Sequence, residues 1–254
     1  MPNNKPPPGD GDRSAPGTAA PDSKVDVLRM ARANKILGAL PAKDLEQLAK
    51  KLKPIDFKVE EVFQQQLDPI RDVYFPTSGI ISLVTLLEDG VCVEVAVIGS
   101  EGVVGISSVM GAKMGTNEAL TQSNGQALQI RAADLREHFN QSPALREVLL
   151  HYAHYLLTQV SQNAACNRAH TVEQRLARWL LLTHDRLGGD KFIFTQEFMS
   201  RMLGVRRAGV SVAANTLRQA GLIGYSRGSI TVFDRKGLEA TACECYRAIE
   251  SYSV

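Results

Sequence analysis

Between residues 55 and 131 apolar side chains recur at every second position, whereas from residue 143 onward they recur every three or four. Ile55, Phe57 and Val59 alternate with Asp56, Lys58 and Glu60, the pattern of a strand with one face buried. Val73-Tyr74-Phe75, Ile80-Ile81-Ser82-Leu83-Val84 and the run Val91 to Val97 continue the series. Asp89-Gly90, between the last two runs, predicts a tight hairpin with positive φ at both central positions. Glycines 99, 102, 105, 111, 115 and 125 punctuate the rest of this stretch. Strands gathered in one stretch and helices in the next give an α+β chain. The close spacing of the strands predicts an N-terminal antiparallel β-roll or barrel, not a parallel sheet with crossover helices.

Helical signals flank the strand-rich stretch. Ahead of it, Ile36, Leu37 and Leu40, then Leu45, Leu48 and Leu52 after Pro41, predict short helices. Six of the 11 prolines fall within residues 1–24, among Gly, Ser, Asn and Asp, so this segment is expected to be a disordered leader. Behind the strands, Ser142 as N-cap and Pro143 at the first helical position open a long helix. Leu145, Leu149, Tyr152, Leu156, Gln159, Asn163 and Cys166 lie along it at 4,3,4,3,4,3 spacing. Such a seam suits a helix pair between two copies, with the polar residues fixing register, and it also suits a helix lying on its own roll. The dimer contact is the expectation. The chain then divides into a leader (1–24), a β-roll (25–141), a dimerisation helix (142–169) and a C-terminal domain (170–254).

Thr171-Val172-Glu173-Gln174 is a capping box, opening a helix whose stripe is Leu176, Trp179, Leu180, Thr183 and Leu187 and which ends at Gly188-Gly189. Thr195 then caps a short helix carrying Phe198, Met202 and Leu203. Gly204 makes a corner, and Arg206-Arg207 begin a second helix with Val210, Ala213, Ala214 and Leu217 inward. Two short helices joined through a glycine corner form a helix-turn-helix, whose second helix fits the major groove of DNA. Arginine forks match guanine edges and phosphate oxygens. Tyr225-Ser226-Arg227-Gly228-Ser229-Ile230-Thr231-Val232 predicts two strands around an Arg-Gly turn, a wing that places Arg227 on a phosphate. The whole chain carries a net charge of only +2, but residues 195–236 hold seven Lys/Arg against two Asp/Glu. Thr195, Gln196, Arg206, Arg207, Ser211, Arg218 and Arg227 form the expected DNA-facing set.

These motifs resemble the catabolite-activator and fumarate-nitrate regulator (Crp/Fnr) family over about residues 30–240. Met202-Leu203-Gly204-Val205-Arg206-Arg207, running on to Leu217-Arg218-Gln219-Ala220-Gly221-Leu222-Ile223, carries the likeness most specifically, and Tyr74-Phe75-Pro76-Thr77-Ser78-Gly79 less so. The resemblance implies a cyclic-nucleotide-binding-like roll, a long dimerisation helix and a C-terminal winged helix-turn-helix. It further implies a homodimer on a two-fold DNA site, switched by a signal read in the roll and working with RNA polymerase.

The chain departs from the family at its signal site. Cyclic-AMP binders of the family carry a Gly-Glu pair, then an Arg followed by Ser or Thr. Here Gly99 is followed by Ser100 with Glu101 one place later, and no Lys or Arg lies between Lys113 and Arg131. The cyclic phosphate lacks its cation, so cyclic AMP is not the expected ligand. Gly99, Ser100, Glu101 and Ser161 are the candidate ligand residues. On the recognition helix, Ala208 and Val212 replace the Glu and second Arg that often accompany the family's base-reading arginine, matched here by Arg207.

Cys92, Cys166, Cys243 and Cys245 are spaced neither for a disulfide framework nor for a zinc site, so no metal is expected. His151, His154 and His170 are read as surface or interface residues, not haem ligands, and no cofactor is expected. No apolar run reaches the roughly 20 residues that span a bilayer, and no signal peptide is read at the N-terminus, so a cytoplasmic protein without membrane contact is expected. No Gly-rich phosphate loop, nucleophile elbow or metal-ligand motif supports an enzyme. A small-molecule-binding regulatory module and a haem-type gas sensor are the alternatives on the same fold.

Overall fold

The structure, a computed structural model, describes residues 24–251. The leader expected at residues 1–24 therefore lies outside the described residues except for Lys24, which begins the first helix. Three helices, α1 (Lys24–Ala33), α2 (Lys35–Gly38) and α3 (Ala42–Ala49), lead into the sheets. Asn34 joins them to the roll. Its buried side chain accepts from the Leu37 amide to cap α2, and its Nδ2 donates to the carbonyls of Pro76 and Gly102, each at 2.9 Å.

Two antiparallel sheets form the roll. One has the order β1 (Lys53–Phe57), β7 (Gly125–Arg131), β3 (Asp72–Ser78). The other has the order β2 (Val62–Gln64), β6 (Glu118–Thr121), β4 (Ile81–Leu86), β5 (Cys92–Ile98). Phe57, Ile81, Ile98, Val104, Ala119 and Ala127 pack together as an apolar cluster of the roll. A Cβ on Gly125 would lie 2.5 Å from both the Phe57 ring and the Ser78 carbonyl, so only glycine allows the strands to close there. The β4–β5 hairpin is a correction to the tight turn expected at Asp89-Gly90. Leu87 and Val91 close it, only Gly90 takes positive φ (82°), and the Asp89 carboxylate accepts from the Val91 amide at 3.0 Å. This longer loop with a single left-handed residue relieves Asp89 of that conformation.

After α4 (Ala132–Gln141), α5 (Pro143–Ala169) runs 27 residues, about 40 Å, with Ser142 accepting from the Leu145 amide. Its predicted seam does not face outward. Leu145, Leu149, Tyr152, Gln159, Asn163 and Cys166 are buried in their own chain. The Val97 amide donates to Gln159 Oε1, and Asn163 Nδ2 donates to the Val95 carbonyl at 2.7 Å. The expectation of a dimer contact along this seam is corrected: its polar members satisfy backbone groups of β5, so the helix lies on its own roll. Exposed instead are Leu150, His154, Leu157, Ser161 and Ala164, a second stripe at 4,3,4,3 spacing on the opposite face.

The C-terminal domain comprises α6 (Val172–Leu187), β8 (Lys191–Ile193), α7 (Gln196–Leu203), α8 (Arg207–Gln219), β9 (Ile223–Ser226), β10 (Ser229–Val232), α9 (Arg235–Thr241) and α10 (Cys245–Glu250). The capping box at Thr171 forms as expected. Every residue of α6 from Arg175 to Thr183 is buried, because α7, α8, α9 and α10 pack around the helix and its Trp179 and Arg186 reach Glu94 and Glu101 of the roll. The wing is a three-stranded sheet, β8-β10-β9, whose first strand is too short to show a period in the sequence.

Candidate nucleic-acid interface and signal pocket

The helix-turn-helix is built as its residues predict. Thr195 caps α7 by accepting from the Phe198 amide at 3.0 Å. Gly204 ends α7 in the left-handed region (φ 60°), and Arg206 takes an extended conformation ahead of α8. Val210, Ala213, Ala214 and Leu217 are buried, which turns Arg207, Ala208, Val212 and Asn215 outward. At the wing tip Arg227 (φ 49°) and Gly228 (φ 80°) make the β9–β10 turn and leave the Arg227 side chain exposed.

The expected DNA-facing residues separate into two groups. Arg206, Arg207, Arg218 and Arg227 are exposed. Among the described residues, Arg206, Arg207 and Arg227 form no ion pair, so Arg207 is not tied to Glu197; Arg218 donates to Asn215 Oδ1 at 2.8 Å. Thr195 is engaged as a cap, and Ser211 donates to Gln196 Oε1 at 2.7 Å, bracing α8 against the start of α7. Val212, noted in the sequence only as a departure from the family, stands 66% exposed on the outer face of α8.

A buried polar seam holds this domain to the roll. Trp179 Nε1 donates to Glu94 Oε1 at 3.1 Å, while Ser82 Oγ and Gln122 Nε2 donate to Oε2 at 2.7 and 2.6 Å. Burial pushes the Glu94 carboxyl up to about 7, against these hydrogen bonds and the positive charges of Arg178 and Arg186. Arg186 Nε donates to Glu101 Oε1 at 2.8 Å, and Arg186 Nη2 to the Tyr155 hydroxyl at 3.1 Å. Burial alone would weaken the Arg186 charge, but the Glu101 carboxylate outweighs it and raises the guanidinium above its ordinary range. Arg175 donates through Nη2 to the Leu203 carbonyl, and Gly204 abuts Val93, where a Cβ would come within 2.9 Å.

Of the candidate ligand residues, Ser100 and Glu101 line one cavity of about 160 Å³ together with Lys35, Tyr155 and Arg186, whereas Ser161 does not join them. Glu101 and Gly99 belong to this seam, with the Gly99 amide donating to Glu101 Oε1 at 3.1 Å. The Ser100 carbonyl accepts from the Lys35 amide at 2.8 Å, and Ser161 is exposed on the far face of α5. A small cavity of the roll lies farther along, where Gly105 (φ 88°) starts a 3-10 turn at Ile106–Ser108. It measures about 80 Å³ and is lined by residues including Gln64, Gly105, Ser107, Thr116, Asn117 and Leu156, with no Lys or Arg among its lining. Pockets that bury small ligands commonly run about 300–1,000 Å³. The Gln64 side chain fills the space over Gly115, and Asn117 is engaged with Thr85 Oγ1 at 2.8 Å. This cavity has no Lys or Arg for a phosphate, whereas a second cavity of the roll, about 260 Å³, has Arg71 in its lining.

The reading of the four cysteines as dispersed residues is corrected for three of them. Cys166, Cys243, Cys245 and His170 converge, with their ligand atoms within 4.8 Å of one another. Cys243 lies in the α9–α10 connection, ahead of the helix that Cys245 begins, so the two sulfurs do not diverge as helix neighbours would. The Cys243 thiol, hydrogen-bonded to Cys166, draws the Cys166 thiol below its ordinary range, with Arg178 adding to the pull. His151 and His154, by contrast, are exposed on α5.

Residues 174–241 match the pattern of a Crp-like helix-turn-helix domain, and residues 55–142 that of a cyclic nucleotide-binding domain, together more than half of the chain. Compared by sequence with proteins of curated function, the chain matches none. Solved structures share its fold. FixK2 from Bradyrhizobium japonicum superposes with a TM-score of 0.66 at 18% identity, covering 76% of this chain and 98% of that one. A putative transcriptional regulator of the Crp/Fnr family from Eubacterium rectale gives 0.67 at 16% identity over 83% and 98%. The c-di-GMP responsive global regulator CLP of Xanthomonas campestris gives 0.62 at 16% over 76% and 99%.

Proposed function

Because the chain belongs to the Crp/Fnr family of transcription regulators, we propose that it acts as a cytoplasmic homodimer that grips a two-fold DNA site with one α8 in each major groove. The observation that carries this reading is the outer face of α8 and the wing: Arg206, Arg207 and Arg227 stand exposed and free of ion pairs among the described residues. Arg207, at the first turn of α8, reads a guanine edge, and Val212 is placed for a thymine methyl. Arg206 and Arg227 meet phosphates on either side. Pairing uses the outer stripe of α5, Leu150, His154, Leu157, Ser161 and Ala164, so the dimer helix is kept while its contact face moves.

The proposed switching signal is one other than cyclic AMP, a reading supported by the lack of any Lys or Arg at the cavity beside Gly105. RNA polymerase is the further partner that a regulator of this architecture engages. No helix among the described residues is long and apolar enough to cross a membrane.

Selection from a random DNA pool tests the reading. The full chain should enrich a near-palindrome with half-site centres about one helical turn apart. A Leu157→Glu chain should stay folded, sediment as a monomer and lose that enrichment. If the unaltered chain enriches no two-fold sequence, or Leu157→Glu leaves both mass and enrichment unchanged, the assignment fails.

A further inference from the structure

Four side chains from separate stretches meet where the long helix ends. Cys166 lies in the last turn of α5, and His170 comes next as its C-terminal cap. Cys243 and Cys245 arrive from the α9–α10 connection. The three sulfurs are buried. Cys166 Sγ and Cys243 Sγ are 3.5 Å apart, as are Cys245 Sγ and His170 Nδ1, and all four atoms fall within 4.8 Å of one another. Residues 166 and 170 share a helix face because they are four apart.

We propose that Cys166, His170, Cys243 and Cys245 form a closed tetrahedral site for one zinc-class divalent ion. Bonds of about 2.3 Å to sulfur and about 2.0–2.1 Å to nitrogen give a tetrahedron with edges of roughly 3.5–3.8 Å; two of the six separations already match this, and the rest lie within 4.8 Å. Three thiolates and one imidazole also form a recognised structural zinc set. Binding displaces three thiol protons and involves no redox change. Two- and four-iron clusters distribute their protein sulfurs over different irons, which spreads them farther than this set.

The surroundings complete the site. His170 Nε2 faces Glu244 Oε1 at 3.3 Å, which directs Nδ1 toward the sulfurs and makes it the better ligand. Gln162 Nε2 donates to Cys245 Sγ at 3.1 Å. Arg175 and Arg178, 7% and 5% exposed, lie within electrostatic reach of Cys166, and the Nε of each has no partner among the described residues. Three thiolates around a divalent ion leave one net negative charge, and these guanidiniums are placed to balance it. The ion would clamp α10 to the end of α5, giving the winged domain a second attachment to the long helix beside the short link through His170.

The test uses the full-length chain. Purified with zinc supplied, it should carry about one zinc per chain. The chelated, reduced protein should take up one equivalent of cobalt(II) with the intense visible bands of a tetrahedral thiolate set, and zinc should displace it. Cys92→Ser, outside the cluster, should keep this stoichiometry, and Cys243→Ser should lose it. Since Cys243→Ser also removes a buried residue, Glu244→Gln on the surface is the second variant; it should fold and bind zinc about 10–100-fold more weakly. Pale octahedral cobalt with no retained zinc would overturn the site, as would a brown protein containing iron and acid-labile sulfide. Unchanged zinc affinity in Glu244→Gln would overturn the part given to His170.

Discussion

Helix α6 carries Arg175, Arg178 and Arg186 into the interior, whereas α8 and the wing hold Arg206, Arg207 and Arg227 in solvent. The interior group faces fixed partners: the Leu203 carbonyl for Arg175, the cysteine cluster near Arg178, and Glu101 with Tyr155 for Arg186. The outer arginines end in water, without a carboxylate partner among the described residues. A buried charge is tolerated only where its partners are fixed, so the first group belongs to the architecture. An exposed basic cluster at the start of a helix contributes little to the fold and remains available to a polyanion. One side chain thus serves two purposes, and burial decides which.

Removing an interior arginine should sharpen the contrast most. Arg186→Met strands Glu101 as a buried carboxylate, and unfolding in urea should show a loss of about 3–5 kcal/mol. A neutral outcome would mean that the seam between roll and winged domain admits water, and the division into two groups would collapse.

Glu94 supplies the next effect, through pH. Its folded value of about 7 exceeds its ordinary 4.5, so the folded chain holds the proton more tightly than the unfolded one. That contribution is complete below about 4.5 and is lost as pH rises through about 7, roughly 3 kcal/mol in all. Unfolding free energies of the parent and Glu94→Gln, compared from pH 4.5 to 8, should show the parent's relative stability falling over that window. A flat difference would place the Glu94 carboxyl in a wetter setting than its partners imply.

The smallest effects belong to the outer group. Arg207→Ala should leave stability within about 0.5 kcal/mol while costing roughly 1–3 kcal/mol of operator binding and flattening the preference for guanine. Arg227→Ala should weaken all sequences alike and lower the salt slope by about 1 per subunit. Competition binding at several salt concentrations reads both. If Arg207→Ala discriminates operator from random DNA as well as the parent does, the exposed arginines are only a solvated face.

Local signals are legible in the sequence, and partnerships across distance are not. Thr171 and Gln174, Thr195, Gly204 and the Arg227-Gly228 turn each declare their geometry within a few residues, so the winged helix-turn-helix is readable with its corner and tip in place. The stripe from Leu145 to Cys166 fixes which face of α5 is buried, but periodicity is silent on what covers it, and it suggests a partner copy where β5 and α10 lie. Gly99 to Glu101 resembles a ligand cassette by count, although the turn at the roll's small cavity begins at Gly105. The cysteine cluster escapes a linear reading because 77 positions separate Cys166 from Cys243, and the break before α10 that aims Cys243 and Cys245 inward has no local marker strong enough to reveal it.

The inner face of α5 is covered by its own roll and by α10, which leaves each protomer with a complete core before a second copy arrives. Folding is then unimolecular, and the proposed pairing on the outer stripe would be a separate bimolecular equilibrium. Chain concentration would then become an input in its own right. As long as most chains are single, doubling their number roughly quadruples the paired species, so occupancy of a two-fold site responds more steeply than synthesis.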